Sequence, residues 1–281
     1  MKQNLVWLYA FVALVAWGGI GGTALANPQD DLKQYQGYFK KQFPNVPFDD
    51  YANGVYALDA GARGEWEAIM AFPPYEVELD EGKKIWGKPF ANGKNFASCF
   101  RNGGVKIAQT YPYWDEARKE VRTIELDVND CLKKNGEQPI ADLEKGPMAQ
   151  VVAYMKSMSA GERVNLDLSS PGAQAAYEAG KQFYWSRRGQ LNFACASCHV
   201  GNAGKFVRGD SLSAGLGHGV AFPVYRGSAG RLLTLHQRYI GCNNQVRAKP
   251  FKPQSVEYRN LELYETYMAT GLPLAGPSYR R

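Results

Sequence analysis

The segment from Phe193 to His199 reads FACASCH and constrains the fold of this chain more than any other stretch. It contains Cys195-x-x-Cys198-His199, the pattern of covalent c-type haem attachment. The two thiols add to the haem vinyl groups, and the following imidazole binds the iron from the proximal side. A redox-active Cys-x-x-Cys or half of a zinc site has the same spacing. The flanks do not resemble a thioredoxin-like unit, and no further Cys or His stands at zinc-site spacing, so one covalently bound haem c is predicted.

The first 26 residues have the features of a secretory signal peptide. Lys2 precedes a short apolar run, and the sequence ALA at 24–26 is an A-x-A cleavage site. The run is too short for a membrane span and no later apolar stretch reaches that length, so no membrane span is expected. Export together with haem attachment predicts a periplasmic protein.

Composition adds little about partners. The 281 residues have a formal net charge of +6, which becomes +5 without Lys2, the one charged residue of the leader. This mildly basic balance favours anionic partners or substrates. No nucleic-acid partner is expected.

Five cysteines are present, and two belong to the haem motif. In an oxidising compartment Cys99 and Cys131 are most simply a disulfide, although two unpaired buried thiols would also fit. Cys242 is left over, and an odd cysteine in an exported chain is paired between chains, buried or reactive.

The haem segment has a degenerate copy earlier in the chain. Residues 96–100 read FASCF and align with CASCH at 195–199. Phe96 replaces the first haem cysteine and Phe100 replaces the histidine. The fold class predicted is therefore mainly α, with tandem cytochrome c-like domains of which the first lacks haem.

Breaks in the helical pattern between Ser159 and Ser170 place the domain boundary. Pro171 is predicted to start a helix that runs to about Arg187, in which Gly180 permits close crossing by the last helix. The closing helices of the two domains are predicted at Pro147–Met158 and Val256–Met268. The predicted segments are the signal peptide (1–26), an N-terminal extension (27–50), a haem-less domain (51–165) and a haem-binding cytochrome c domain (166–281).

Four residues are candidates for the distal iron ligand: His218, His236, Met268 and Cys242. Met268 falls inside the last predicted helix, where core packing is its expected role. His218 lies in a glycine-rich stretch, and a histidine there is more often structural. A Met ligand would be typical of a simple electron carrier.

Cys242 has two arginines near it in sequence. A helix over Leu232–Ile240 would place Arg238 and Cys242 four residues apart near one face, and Arg247 follows five residues later. Two guanidinium groups beside a thiol favour the thiolate and bind a small dianion. A buried, inert cysteine with two solvated arginines fits the spacing equally well.

The chain resembles the SoxA subunit of the SoxAX cytochromes of bacterial sulfur oxidation. The resemblance rests on the tandem arrangement, the attachment site, and the segment Arg238-Tyr239-x-x-Cys242-Asn243, and it covers about 50–277. Phe96 and Phe100 resemble the single-haem branch of that family, in which a disulfide occupies the vacated site.

The resemblance implies that His199 is the proximal ligand and Cys242 the distal one, with a persulfide on Cys242. It implies an L-cysteine S-thiosulfotransferase that joins thiosulfate oxidatively to a cysteine of the carrier protein SoxY and passes electrons to haem. Arg238 and Arg247 would orient the thiosulfate dianion. Because one haem holds one electron, a heterodimer with a small SoxX-type cytochrome c is expected.

Three other functions are open. A plain electron-transfer cytochrome c would use Met or His as the distal ligand. A tetrathionate-forming thiosulfate dehydrogenase normally has two intact haem motifs, which Phe96 and Phe100 argue against. A non-enzymatic adaptor would use the first domain as a docking surface.

Overall fold

The computed structural model describes residues 27–207 and 209–281; the predicted signal peptide lies outside these ranges. The described residues are mainly α-helical, as predicted. The helices are α1 (Pro28–Gln42), α2 (Ala60–Met70), α3 (Glu76–Gly87), α4 (Ile124–Lys134), α5 (Pro147–Ser157), α6 (Pro171–Trp185), α7 (Cys195–His199), α8 (His218–Ala221), α9 (Leu235–Gln245) and α10 (Val256–Met268).

Short strands form three small sheets that the sequence did not predict. One is an antiparallel β1–β2 hairpin, one is an antiparallel β3–β4 pair, and the third has the order β6-β5-β7 with β5 parallel to β7. In the part of the chain described, no helix has the length and apolarity needed to cross a membrane. The strands are β1 (Tyr113–Asp115), β2 (Glu120–Arg122), β3 (Phe206–Val207), β4 (Asp210–Ser211), β5 (Val224–Arg226), β6 (Arg231–Leu233) and β7 (Ser278–Arg280).

The same order of elements occurs twice along the chain. The first set is α3, the β1–β2 hairpin, α4 and α5, and the second is α6, the β5–β6 hairpin, α9 and α10. Helices α4 and α9 each have 11 residues, and each follows its hairpin through one threonine, Thr123 or Thr234. The internal repeat seen in the sequence therefore has a structural counterpart.

A glycine lets the two long helices of each set cross closely. A Cβ added at Gly180 in α6 would lie 2.0 Å from the carbonyl oxygen of Asn260 in α10. A Cβ added at Gly82 in α3 would lie 2.1 Å from that of Gln150 in α5. The close crossing predicted at Gly180 is confirmed.

Helix ends agree with most of the predicted limits. Helix α6 starts at Pro171 with the Ser170 hydroxyl accepting from the Ala173 amide, and it ends two residues before Arg187. Helix α5 ends one residue short of its predicted limit, and α10 has the predicted limits.

The start predicted for α9 is wrong. Leu232 belongs to strand β6, where it pairs with Tyr225, and its amide donates to the Glu78 carboxylate at 2.8 Å. The strand must end before the helix can begin, so α9 starts at Leu235 and extends to Gln245.

Aromatic side chains fill the core of the first repeat. Phe96 and Phe100 are buried, and their ring centroids lie 5.5 Å and 5.2 Å from that of Trp86. The predicted disulfide between Cys99 and Cys131 is present. It ties the segment after Phe96 to α4.

The N-terminal helix α1 packs on the second repeat. Tyr35 and Tyr184 share a buried hydrogen bond of 2.9 Å between their hydroxyls. The Asp31 carboxylate accepts from Tyr177 at 2.9 Å and from Lys181 at 2.6 Å, both on α6. This helix thus braces the side of the molecule that contains the haem-attachment motif.

Candidate functional site

An open cavity in the second repeat brings together the residues that the sequence marks for chemistry. Cys195, Cys198 and His199 line it from α7, and Arg238 and Cys242 line it from α9. Its volume is about 250 Å³. Residues far apart in sequence therefore share one enclosure.

The loop before α7 is fastened to the end of α9. Backbone hydrogen bonds in both directions join Arg188 and Phe193 at the base of this loop. The Leu191 amide donates to the Val246 carbonyl at 3.3 Å, and a Cβ at Gly189 would lie 2.1 Å from that same oxygen. This contact holds the Cys-x-x-Cys-His motif against the helix that contains Cys242.

His199 is oriented by a backbone carbonyl. Its Nδ1 lies 3.0 Å from the Ser213 carbonyl oxygen, so Nδ1 carries the proton and donates. Burial lowers the pKa of His199 well below its usual range, and the neighbouring His218 adds to the effect. A neutral imidazole with its proton fixed on Nδ1 leaves the Nε2 lone pair free to bind iron.

His218 supports His199 from the side. The two ring centroids lie 4.2 Å apart in an edge-on arrangement. His218 Nε2 lies 3.0 Å from the Ser213 hydroxyl, and its Nδ1 lies 3.2 Å from the buried carboxylate of Glu265, which also accepts from the Tyr239 hydroxyl. Because both nitrogens of His218 have partners, its ring is fixed beside that of His199 and links Ser213 to Glu265.

Two other candidate ligands lie outside the cavity. His236 Nδ1 accepts from the Gln254 amide at 2.9 Å, and Nε2 faces the Glu262 carboxylate at 3.0 Å. Met268 is buried in the core at the end of α10. Neither His236 nor Met268 is among the residues that line the cavity.

Helix α9 presents Arg238 and Cys242 to the cavity from positions one helical turn apart. Arg247 is placed differently, because it lies beyond the end of α9 in a left-handed conformation, with φ 57°, and is exposed. It does not line the cavity.

Four arginines that line the cavity were missed by the sequence analysis: Arg188, Arg226, Arg280 and Arg281. Arg226 ends strand β5 and Arg280 ends strand β7, and both line the cavity with Arg238. Glu265 was missed as well. Sheet pairing decides the position of Arg226 and Arg280. The sequence offered one signal for Arg226, the turn with two glycines that follows it, and none for Arg280.

The residues present fit a covalently attached haem. Both motif thiols and His199 face one enclosure, and its wall contains apolar side chains such as Val224, Leu235 and Leu261. Burial raises the pKa of Cys195 and of Cys198, so both remain thiols at neutral pH in the unloaded chain.

Comparisons with known proteins cover the first repeat through a family model and nearly the whole chain through relatives. A family model described as SoxA/TsdA, cytochrome c domain, matches residues 81–164. The L-cysteine S-thiosulfotransferase subunit SoxA of Chlorobaculum tepidum is 47% identical, with 99% of this chain and 96% of that protein aligned. The protein of the same name from Allochromatium vinosum is 48% identical, with 93% of each chain aligned.

A solved structure has the same fold. A chain of the crystal structure of SoxXA from P. pantotrophus superposes with a TM-score of 0.68 at 31% identity. The match covers 74% of this chain and 79% of that one. The near full-length identity to these relatives, together with the cytochrome c site, shows that the chain belongs to the SoxA family of L-cysteine S-thiosulfotransferase subunits and binds haem c covalently.

Proposed function

We propose that this chain is a periplasmic c-type cytochrome that oxidatively conjugates thiosulfate to a cysteine of the carrier protein SoxY. One observation carries the proposal: Cys242 and Arg238 line the same cavity as the haem-attachment motif. The name shared by the relatives, L-cysteine S-thiosulfotransferase subunit SoxA, supports the class of reaction.

Four side chains would hold the haem. Cys195 and Cys198 would form the two thioether bonds, His199 Nε2 would be the proximal ligand, and the Cys242 sulfur would be the distal one. The bound haem supplies a one-electron acceptor beside that sulfur. The hydrogen bond to the Ser213 carbonyl would keep the His199 ring in the orientation needed for that role.

The proposed reaction needs no oxidant other than the haem groups that accept its two electrons. The Cys242 thiolate joins the outer sulfur of thiosulfate, giving Cys242–S–S–SO₃⁻ and two electrons. The carrier thiolate then attacks that outer sulfur, which forms carrier–S–S–SO₃⁻ and returns the Cys242 thiolate. The carrier thiol releases one proton. A persulfide on Cys242 would put its outer sulfur in the same nucleophilic role.

Arg238 would orient the thiosulfate dianion beside Cys242 and offset its charge. A guanidinium group offers paired donors to sulfonate oxygens, and such charge-assisted hydrogen bonds are strong in a partly dry cavity. The role predicted for Arg247 stays a prediction, since its side chain is exposed beyond α9.

The first repeat would serve as a haem-less cytochrome c-like domain. Trp86, Phe96 and Phe100 pack together at its motif, which supports the absence of haem there. The cytochrome c family model matches this part of the chain, which supports the common origin of both repeats. We place the domains at 51–165 and 166–281, after an extension at 27–50.

A chain with one haem accepts one electron, so the second electron needs another acceptor. We propose a heterodimer with a small SoxX-type cytochrome c, which the similarity to a chain of the SoxXA crystal structure supports. Residues 1–26 would export the chain to the periplasm, where c-type haem is attached.

Substitution of Cys242 tests the proposal directly. The variant Cys242→Ser, loaded with haem and combined with its SoxX-type partner, should lose conjugation of thiosulfate to the carrier by at least about 10³-fold, because the attacking sulfur is absent. The measurement is the mass of the carrier's cysteine peptide. Covalent haem, checked by intact mass, should be unchanged; activity that survives would show that Cys242 is not the reacting sulfur.

Electron paramagnetic resonance distinguishes this function from that of a plain electron carrier. Thiolate and methionine ligands give low-spin haem different g-values, and the holoprotein should give those of a His/thiolate haem. A His/Met spectrum would instead identify the protein as a simple electron carrier.

A further inference from the structure

Three arginines lie side by side across the three-stranded sheet. Arg226 at the end of β5 is paired with Arg231 of β6 on one side and with Arg280 of β7 on the other. Residues directly opposite each other in a sheet project from the same face, and like charges in that position are destabilising. The row of like charges therefore destabilises the sheet unless an opposite charge offsets it.

The row has one end in the cavity and one end outside it. Arg226 and Arg280 line the cavity together with Arg238 and Cys242, whereas Arg231 is exposed and does not line it. Two further arginines line the same cavity, but Arg281 pairs with Glu65 and Arg188 lies over the ring of Phe183. Arg226, Arg238 and Arg280 are the remaining guanidinium groups that share the cavity with the proposed reacting sulfur.

Asp59, Asp210 and Glu265 also line the cavity, but within the described residues none of them pairs with these three groups. Arg226, Arg238 and Arg280 form no salt bridge there. The Arg280 guanidinium donates to the carbonyls of Tyr279 at 2.7 Å and Ala52 at 3.4 Å. Its remaining charge is unpaired, and an unpaired charge in a partly dry site attracts an anion.

The electrostatics of the groups agree with this geometry. Burial lowers the pKa of Arg226, and the charge of Arg238 lowers it further. Burial also lowers the pKa of Arg280 to about 10, although the ring of Tyr56 beside it opposes the shift. The charge of Asp210 opposes the shift of Arg226 without outweighing burial, and an anion between the two arginines would offset the burial of their charges.

We propose that Arg226, supported by Arg280, forms with Arg238 a binding site for a small dianion with sulfonate or sulfate oxygens, and that Arg226 determines specificity for the thiosulfate dianion. The inference rests on the proposed function, because thiosulfate is the dianion that must reach Cys242. Arg226 would be the second cation that binds the dianion beside Arg238, a role that the sequence analysis assigned to Arg247.

The site distinguishes anions by charge and shape. Guanidinium groups on β5 and α9 reach one cavity from two elements, so they contact a tetrahedral oxyanion from two directions. A dianion offsets two of the three charges, whereas a monoanion or a neutral sulfur compound leaves more of them unpaired. Carboxylates of the haem propionates share this chemistry, so the experiment must separate the two sources.

The test uses the haem-loaded chain and sulfate, a dianion that does not react with Cys242. Isothermal titration calorimetry measures the sulfate affinity of the wild type, Arg226→Gln, Arg226→Lys and the control Arg231→Gln, which removes a charge from the same row outside the cavity. We expect Arg226→Gln to weaken sulfate binding at least about tenfold and Arg226→Lys to keep most of the affinity. The control should stay within about twofold.

The outcomes separate the possible failures. Sulfate affinity of Arg226→Gln within about twofold of the wild type, or no sulfate binding by the wild type, would overturn the inference. An altered haem spectrum and midpoint potential with unchanged affinity would also overturn it and assign Arg226 to the propionates. Sulfate binding that depends on Arg226, in a protein that never conjugates thiosulfate, would uphold the anion site and reject the proposed function.

Discussion

Cys131 and Cys242 hold the same position in the two repeats. Each is the eighth residue of an eleven-residue helix that follows a two-stranded hairpin. Cys99 and Cys198 correspond as well, since each ends a matching Ala-Ser-Cys triplet in its motif. The disulfide of the first repeat thus joins the two positions that, in the second repeat, face the haem cavity. One scaffold ties its motif to its helix by a disulfide or, as we propose, by a haem.

At this scale we predict the effect of removing the disulfide. The double variant Cys99→Ser/Cys131→Ser should lower the free energy of unfolding by about 3–4 kcal/mol, because the bridge closes a loop of sequence separation 32. Guanidinium unfolding followed by circular dichroism measures it. The haem absorption spectrum is the control and should not change; a loss below about 1 kcal/mol would contradict a structural role for the bridge.

The helix pairs α3–α5 and α6–α10 depend on glycine at their crossing points. In both pairs the helix backbones touch where a side chain would otherwise stand, and the neighbouring tyrosine, Tyr154 or Tyr264, closes the contact from the partner helix. This repeated crossing sets the distance between the helices and hence the space left beside α7.

A methyl group at the crossing should separate the helices of the second pair. Gly180→Ala places a Cβ 2.0 Å from the Asn260 carbonyl oxygen, so backbone must shift, and we expect a loss of about 2–4 kcal/mol in the free energy of unfolding. The matched control is Gly37→Ala in α1, where no atom lies within 4 Å. That change should be neutral or stabilise by up to about 1 kcal/mol, since alanine favours helix. A wild-type stability for Gly180→Ala would refute the close crossing.

Polar contacts between the repeats add to a hydrophobic core that is continuous across both. The Glu120 carboxylate in β2 accepts from Arg122 at 2.7 Å and from Arg259 of α10 at 2.7 Å. The Thr234 amide donates to the Glu144 carbonyl at 2.9 Å. The Glu120 contact joins the hairpin of the first repeat to a helix of the second, and the Thr234 contact joins connecting segments of the two repeats.

The contact at Glu120 predicts how stability depends on pH. Burial alone would raise the pKa of Glu120, but hydrogen bonds from Arg259 and Arg122 outweigh it and hold the pKa below the usual range. A lowered pKa in the folded chain means that this stability is complete above the ordinary pKa of a glutamate, about 4.3, and is lost as the pH falls through the lower folded value. Acid should therefore loosen the join between the repeats.

Glu120→Gln should lower the free energy of unfolding by about 2 kcal/mol at pH 7, because Arg259 loses its charged partner. The difference from the wild type should shrink between about pH 5 and pH 3, measured by urea unfolding at each pH. Glu178→Gln is the control, since its carboxylate meets Lys181 at 4.0 Å on an exposed face and should change stability by less than about 1 kcal/mol. A difference that stays constant with pH would exclude Glu120 as the source.

Local pattern in the sequence determined the haem motif, its degenerate copy, the disulfide, the start of α6 and the limits of α10. Most of these features depend only on residues close together in sequence, and the disulfide depends on a pair of cysteines with few other possible partners. A single sequence is therefore enough to predict them. The start of α9 could not be read, because Leu232 follows the helical pattern but is taken by a strand whose partner is set by distant pairing.

Tertiary structure alone decided which charged groups line the cavity with Cys242. Arg247 is near in sequence but exposed, while Arg226 and Arg280 are brought to the cavity by pairing of β5 with β7, strands separated by more than fifty residues. In the same way His236 is close to Cys242 along the chain yet faces Glu262. Side chains on one helix point in different directions every residue, and strands from distant segments meet in one sheet, so proximity in sequence does not measure proximity in the site.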